Sequence, residues 1–161
     1  MQIRRATAAD APLLAELGAR TFHETFEADN TAENMSTYLA EAFGETVQAA
    51  EVADPATIFF VAEIDGVPCG YAKLHLDERG VEIARLYATK ARIGSGVGAA
   101  LMQASLDEAK HRGIGDVWLG VWEHNERALA FYRRWGFVET GAQSFVLGDD
   151  VQRDLVLSRR V

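Results

Sequence analysis

The stretch ARIGSGVGAALMQASLDEAKHRG, Ala91 to Gly113, joins a glycine-rich turn to an amphipathic helix. Gly94, Gly96 and Gly98 occupy alternate positions ahead of the helix. Lacking a Cβ, such a loop can bring its backbone close to a ligand and aim successive N–H groups one way. The helix behind it adds the free N–H groups of its first turn and the positive end of its dipole. Loop and helix start together make a site for a phosphate or pyrophosphate.

Working outward, the residues on either side alternate between sheet and helix signals. Upstream, Gly80 opens a strand, Val81–Ala88. Before it, Thr57–Ile64 and Val67–Leu76 read as two strands joined by an Asp65-Gly66 hairpin turn. Nearer the N-terminus, Gln2–Ala6 predicts a short strand, and Thr7 with Asp10 a capping box. Leu13, Leu14, Leu17, Phe22 and Phe26 fall on one helical stripe; Met35, Tyr38, Leu39, Ala42 and Phe43 fall on a second. Glu45–Ala53 reads as a third short helix before Pro55. Downstream, Gly113 suits a helix C-cap. Asp116–Val121 predicts a strand and Asn125–Trp135 a helix. Two closing strands follow at about 137–147 and 151–158. No repeat or linker interrupts the chain, so residues 1–161 predict one α/β (α+β) domain with helices packed on a mixed sheet.

Composition narrows the function classes. The net charge of −8 argues against a nucleic-acid binder with a general basic surface. No apolar run approaches the ~18 residues of a membrane span, and MQIRRATAAD lacks the apolar centre of a signal peptide. Cys69 is the only cysteine, and His23, His75, His111 and His124 show no ligand spacing such as H-E-x-x-H. The expectation is a cytoplasmic protein without a metal. Residues 1–55 set three arginines against ten carboxylates, a local balance of −7. Either this is a solvated face of the first helices, or it is an acidic rim that attracts a cation.

Two familiar phosphate sites do not fit the glycine loop. A P-loop needs Lys-Ser/Thr after its last glycine, where this chain has Ala99-Ala100. Gly94–Ala99 formally matches G-x-G-x-x-A. A dinucleotide fold, however, needs those glycines directly after a strand, and here Thr89–Ile93 intervenes. A second pattern lies downstream, N-x-x-A-x-x-F-Y-x-x-x-G-F, carried by Asn125, Ala128, Phe131, Tyr132, Gly136 and Phe137. With the loop at this separation, the chain resembles the GNAT N-acetyltransferases. The likeness covers the whole chain in element order and residues 81–137 in motif detail.

That resemblance implies a mostly antiparallel sheet of about seven strands, acetyl-CoA as co-substrate and no metal. Ile93, Gly94, Ser95, Gly96, Val97, Gly98 and Ala99 would hold the pyrophosphate. Ile93 stands where the family usually has Gln or Arg, and Arg92 is the neighbouring charge. Leu86, Tyr87 and Ala88 would offer backbone groups to the pantetheine arm and the oxyanion, and Asn125 would contact the CoA chain or cap its helix. Tyr132 would be the acid that protonates the departing thiolate, its alternative being a core aromatic on a helical stripe. Glu82 resembles in position the glutamate that some members use as base; the other reading is an outward-facing strand carboxylate. The first two helices usually shape the acceptor site, which points to Phe22, Glu24, Phe26, Glu33 and Tyr38. Carboxylates there suit ammonium groups and aromatic faces suit methylenes. This segment and FVLGDDVQRDLVL resemble bacterial polyamine (spermine/spermidine) acetyltransferases of the PaiA type. The expected acceptor is therefore a primary amine of a small polycation such as spermidine or spermine, with a protein N-terminus, a lysine or another small amine as enzyme alternatives. A non-catalytic acyl-CoA sensor is the alternative outside enzymology. Pairing into a homodimer through the C-terminal strands is also implied.

Overall fold

A computed structural model describes all residues, 1–161. The chain opens with β1 (Gln2–Arg5), α1 (Ala11–Phe26), α2 (Ala32–Ala42) and α3 (Glu45–Ala53). It continues through β2 (Thr57–Ile64), β3 (Val67–Asp77), β4 (Gly80–Ala88), α4 (Val97–His111) and β5 (Asp116–Trp122). It closes with α5 (Glu126–Arg134), β6 (Val138–Leu147) and β7 (Asp150–Arg160). Local chemistry sets several of these boundaries. The Thr7 backbone N–H donates to the Asp10 carboxylate at 2.8 Å. The Thr31 side chain caps α2 by accepting from the Asn34 N–H. Gly113, at φ +69, ends α4 in the left-handed region.

All seven strands form one sheet in the order β1-β2-β3-β4-β5-β7-β6. Only β4 and β5 run parallel. The two closing strands pair as a hairpin, and β7 enters between β5 and β6 and leaves β6 at the edge.

Two cores lie on the two faces. On one, Val81 and Ile83 of β4, Val117, Leu119 and Val121 of β5, and Leu155 and Leu157 of β7 pack on α4 and α5 through Met102, Leu106 and Leu129. On the other, Leu14 and Leu17 of α1 meet Phe59, Val61 and Tyr71. Beside these, Phe22, Met35, Phe43 and Leu147 form a further cluster. A bulge at Ala84 shifts the alternation of β4: Lys73 faces Arg85, and Leu74 faces Ile83. Consequently Val81, Ile83 and Leu86 share the α4 face, whereas Glu82, Arg85 and Tyr87 share the α1 face.

Candidate active site

The opening at the centre of the sheet follows from strand pairing. β4 and β5 pair only at Val81–Val117 and Glu82–Trp118; beyond that point neither strand has the other as partner. The splay opens a cavity of ≈180 Å³ between them, reaching from α5 on one face to α1 and α2 on the other. It has room for about six water-sized groups, which suits a small molecule or an extended arm.

On the α4–α5 side, Gly94 (φ +83) and Gly96 (φ +91) adopt left-handed conformations. The first α4 bond runs from the Ala100 N–H to the Gly96 carbonyl, so the amides of Val97, Gly98 and Ala99 stay free. Nothing lies within 4 Å of where a Cβ on Gly94 would stand, so this face of the loop is open. Free amides, an open face and a helix N-terminus fit a pyrophosphate. Ser95 turns its hydroxyl back onto the Arg92 carbonyl at 2.5 Å. Ile93 is exposed and lines the cavity mouth.

Leu86, Tyr87, Ala88, Asn125 and Tyr132 all line the same cavity. Asn125 caps α5, its Oδ1 accepting from the Ala128 N–H at 3.2 Å. Asn125 thus caps its helix, one of its two sequence readings, and also lines the cavity. Tyr132 is almost fully buried, its ring edge-on to Phe131 and Phe137. Burial pushes its phenol up to about 12.

On the α1–α2 side the wall is aromatic. Phe22 packs against Tyr38 at 4.5 Å and Phe26 at 4.6 Å between centroids. Trp122 stands edge-on to Phe26 at 6.3 Å, and Phe145 lies 5.4 Å from Tyr38. Phe22, Phe26 and Tyr38 thus serve as helix core and cavity lining at once. Glu24 and Glu33 do not line the cavity. The Glu24 carboxylate accepts from the Lys90 backbone at 3.3 Å and pairs with Arg20, and Glu33 is exposed in the first turn of α2. Glu82 is on the α1 face but sits where β4 and β5 are still paired, between His75 and Trp118, and also stays outside the lining. Burial raises its carboxyl pKa, against the pull of His75.

Among the lining residues that sequence reasoning missed are Arg85, Trp122 and Asp154. Arg85 is held by Glu51 of α3 at 2.9 and 3.3 Å, and its guanidinium lies 4.7 Å over the Phe43 ring. Asp154 of β7 faces Trp122 across the β5–β7 ladder. Burial lifts its carboxyl to about 6. The available signal was the period of β7, which places Gln152, Asp154 and Val156 on one face. No group of three or more His, Cys, Asp or Glu side chains is arranged to hold a metal ion.

Comparison with known proteins agrees with this geometry. The acetyltransferase (GNAT) family model matches residues 19–137. An uncharacterised N-acetyltransferase from the pepI 3′ region of Lactobacillus delbrueckii subsp. lactis is 34% identical over 158 residues, covering 93% of this chain and 91% of its own. An uncharacterised N-acetyltransferase of Mycobacterium tuberculosis is 35% identical over 153 residues, covering 94% and 98%. In three dimensions the chain is similar to PaiA N-acetyltransferase from Thermoplasma acidophilum, crystallised with coenzyme A. The TM-score is 0.85 over 99% of this chain and 98% of that one; at 19% identity the likeness is one of fold. By the family match and the two full-length relatives, this chain belongs to the GNAT family and is an acetyl-CoA-dependent N-acetyltransferase.

Proposed function

We propose that the enzyme acetylates a small primary amine in the cytoplasm, by direct attack within a ternary complex, and that the acceptor is a polyamine such as spermidine or spermine. The observation that carries this reading is the continuous cavity through the splay. It lets donor and acceptor meet from opposite faces of the sheet. A relay through a protein thiol has no support: Cys69 is buried among Ala62, Ala72 and Leu101, away from the cavity. Burial also raises its pKa, against thiolate formation.

Acetyl-CoA supplies an activated thioester; the protein supplies position and charge. The unpaired edge of β4 at Leu86–Ala88 supports a role in meeting the developing negative charge of the carbonyl oxygen. Tyr132 stays protonated at neutral pH and donates a hydrogen bond to the departing sulfur. From a phenol at about 12, outright transfer to a thiolate of ordinary pKa ~8.5 is uphill by roughly 5 kcal/mol. The proton that ends on sulfur is therefore the one that the amine nitrogen sheds as the amide forms. Glu82, one residue pair below the opening, stands outside the cavity lining and reaches the amine only through intervening water.

For a polyamine, the aromatic wall suits the methylenes. Gln152, which lines the cavity, donates to Asn30 and Asp150 at 2.8 and 3.0 Å. Beyond it a polar groove carries Asp29, Asp149 and Asp150, available to a second ammonium. Arg85 and Arg127 in the cavity wall favour a second reading, an acceptor with a single ammonium. A homodimer along the C-terminal strands belongs to the proposal. Its support is the edge position of β6 and the exposure of Val138, Val146 and Val151.

Thiol release from acetyl-CoA over an amine panel tests the proposal. Saturable turnover with spermidine or spermine, falling ~10²-fold or more in kcat with Tyr132→Phe, is expected. Turnover confined to monoamines, peptide N-termini or lysine peptides removes the polyamine acceptor. Coenzyme A binding with no turnover on any amine removes the enzymatic reading of the acceptor side and leaves an acyl-CoA sensor. An unchanged kcat in Tyr132→Phe removes the role given to the phenol.

A further inference from the structure

We propose that Asp154 receives the acceptor's ammonium group and takes its proton. The inference rests on the amine-acceptor reading above and assigns the residue that completes it. Asp154 is the one carboxylate among the cavity-lining side chains. It forms no hydrogen bond and no ion pair within the protein, although Arg85 and Arg127 line the same space. The Arg85 guanidinium is engaged bidentately by Glu51. The Asp154 oxygens are not sealed from water, so this partly buried carboxylate without a protein partner stays open to an incoming ammonium.

The strands make room for it. Asp154 projects on the same sheet face as Trp122 and, across the splay, Arg85 and Tyr87. Gly120 of β5 lies beside it. A Cβ there would stand 3.4 Å from Asp154 Oδ2 and 2.5 Å from Gln143 Nε2. The absence of that Cβ leaves both side chains room over β5. The aromatic faces of Phe26, Tyr38 and Trp122 would surround the carbon attached to the amine. Among the groups of the same cavity, Tyr38 of α2, Tyr87 of β4 and Tyr132 of α5 are neutral phenols at pH 7, with their pKa values raised. Arg85 of β4 and Arg127 of α5 are the cations. The lining residues of β5 and β6, such as Gly120, Trp122, Phe145 and Leu147, carry no charge.

The proton balance closes without a further reagent. An N–H bond of the ammonium breaks and an O–H bond forms on Asp154, uphill by roughly 6 kcal/mol from an ordinary ammonium of pKa ~10.4, and release of that proton to solvent at the cavity mouth draws the step forward. The free amine then forms the C–N bond as the C–S bond breaks. The nitrogen's second lost proton ends on the sulfur beside Tyr132. A carboxyl near 6 is mostly ionised at pH 7 and remains close to the working pH, as a general base requires.

The experiment is the pH dependence of kcat and KM for wild type and Asp154→Asn, with coenzyme A affinity measured in each. Whichever amine the wild type accepts is used. Expected are a wild-type kcat/KM that falls below an apparent pKa of about 6, and a loss of ~10²–10³-fold with disappearance of that limb in Asp154→Asn. Coenzyme A affinity should be unchanged. The deficit of Asp154→Asn should shrink with the β-fluorinated analogue of the same amine, which is less basic and so carries more free base. A variant damaged only in folding would lose activity equally on both amines. Wild-type rates and an intact acid limb in Asp154→Asn would overturn the inference while leaving the amine reading standing. A wild type that binds coenzyme A but acetylates no amine would overturn both.

Discussion

Replacing Glu51 by alanine tests the electrostatics that support the cavity wall. Its carboxylate accepts from Arg85 at 2.9 and 3.3 Å and pairs with Lys73 at 3.1 Å. The three side chains are only 15–20% exposed. Without Glu51, Arg85 keeps Gln48 Oε1 at 3.4 Å as an acceptor, and Lys73 keeps only the longer-range charge of Glu82. Breaking a buried pair by removing one partner costs about 3–5 kcal/mol. A chain of 161 residues has an unfolding entropy of roughly 0.34 kcal/mol/K, so Tm should fall by ~9–15 °C. Adding Lys73→Met to Glu51→Ala removes one of the repelling charges and should restore ~1–2 kcal/mol.

The same reasoning fixes a pH trend. Burial, then Arg85, already depress the Lys73 pKa, and Glu51 opposes them. In the alanine variant Lys73 sheds its proton still earlier. Between that folded pKa and ~10.4 the unfolded chain binds more protons, so the variant regains stability as pH rises. Thermal melts followed by circular dichroism, from pH 7 to 10, read both effects. A Tm loss under ~3 °C, or no recovery with Lys73→Met, would refute the account.

Two further outcomes follow from the glycine loop and the N-terminus. Gly96→Ala places a Cβ at φ +91 with Met1 Cε at 3.9 Å, an ordinary van der Waals contact, so it should cost ~1–2 kcal/mol without a clash. It should also weaken coenzyme A binding ~10-fold by calorimetry, from lost alignment of the α4 amides at about 1.4 kcal/mol per decade; unchanged affinity would contradict the role given to those amides. The Arg4 guanidinium, chiefly by hydrogen bonding, holds the Asp10 carboxyl down at about 2. That depression stabilises the fold fully above the unfolded value of ~3.9, and the contribution is lost as pH falls toward 2. Urea titrations from pH 5 to 2 should therefore show a steeper loss in wild type than in Asp10→Asn; identical slopes would refute it.

The parts of the site legible in the sequence were local ones. The loop at Gly94–Gly98 depends on missing side chains and on the helix that follows, and both are visible in a dozen residues. Asn125 and Tyr132 were legible because they lie on one short helix. The opening itself was not. It exists because β4 and β5, separated by the whole of α4, stop pairing after Glu82 and Trp118. Glu82 shows the difficulty within one strand. Simple alternation puts it on one face with Leu86, but the bulge at Ala84 puts it with Arg85 and Tyr87 instead. Asp154 read as one charge in a closing strand, because only the insertion of β7 beside β5 brings it opposite Trp122. Likewise Glu24 and Glu33 looked like an acidic rim, while helix packing turned Phe22, Phe26 and Tyr38 toward the cavity.

The place of β7 has a consequence for the order of assembly. Strands emerging from the ribosome cannot extend this sheet one after another, because β6 is made first and yet finds its only partner in β7. Until Asp150–Arg160 arrives, β5 lacks its antiparallel neighbour. Phe145 then has no strand beside it, and Gln152 and Asp154 are absent from the cavity. The half that cradles phosphate is local in sequence and can take shape early. The half that receives the acceptor waits on β7, so the acceptor side of the cavity closes only when the last strand of the sheet docks beside β5.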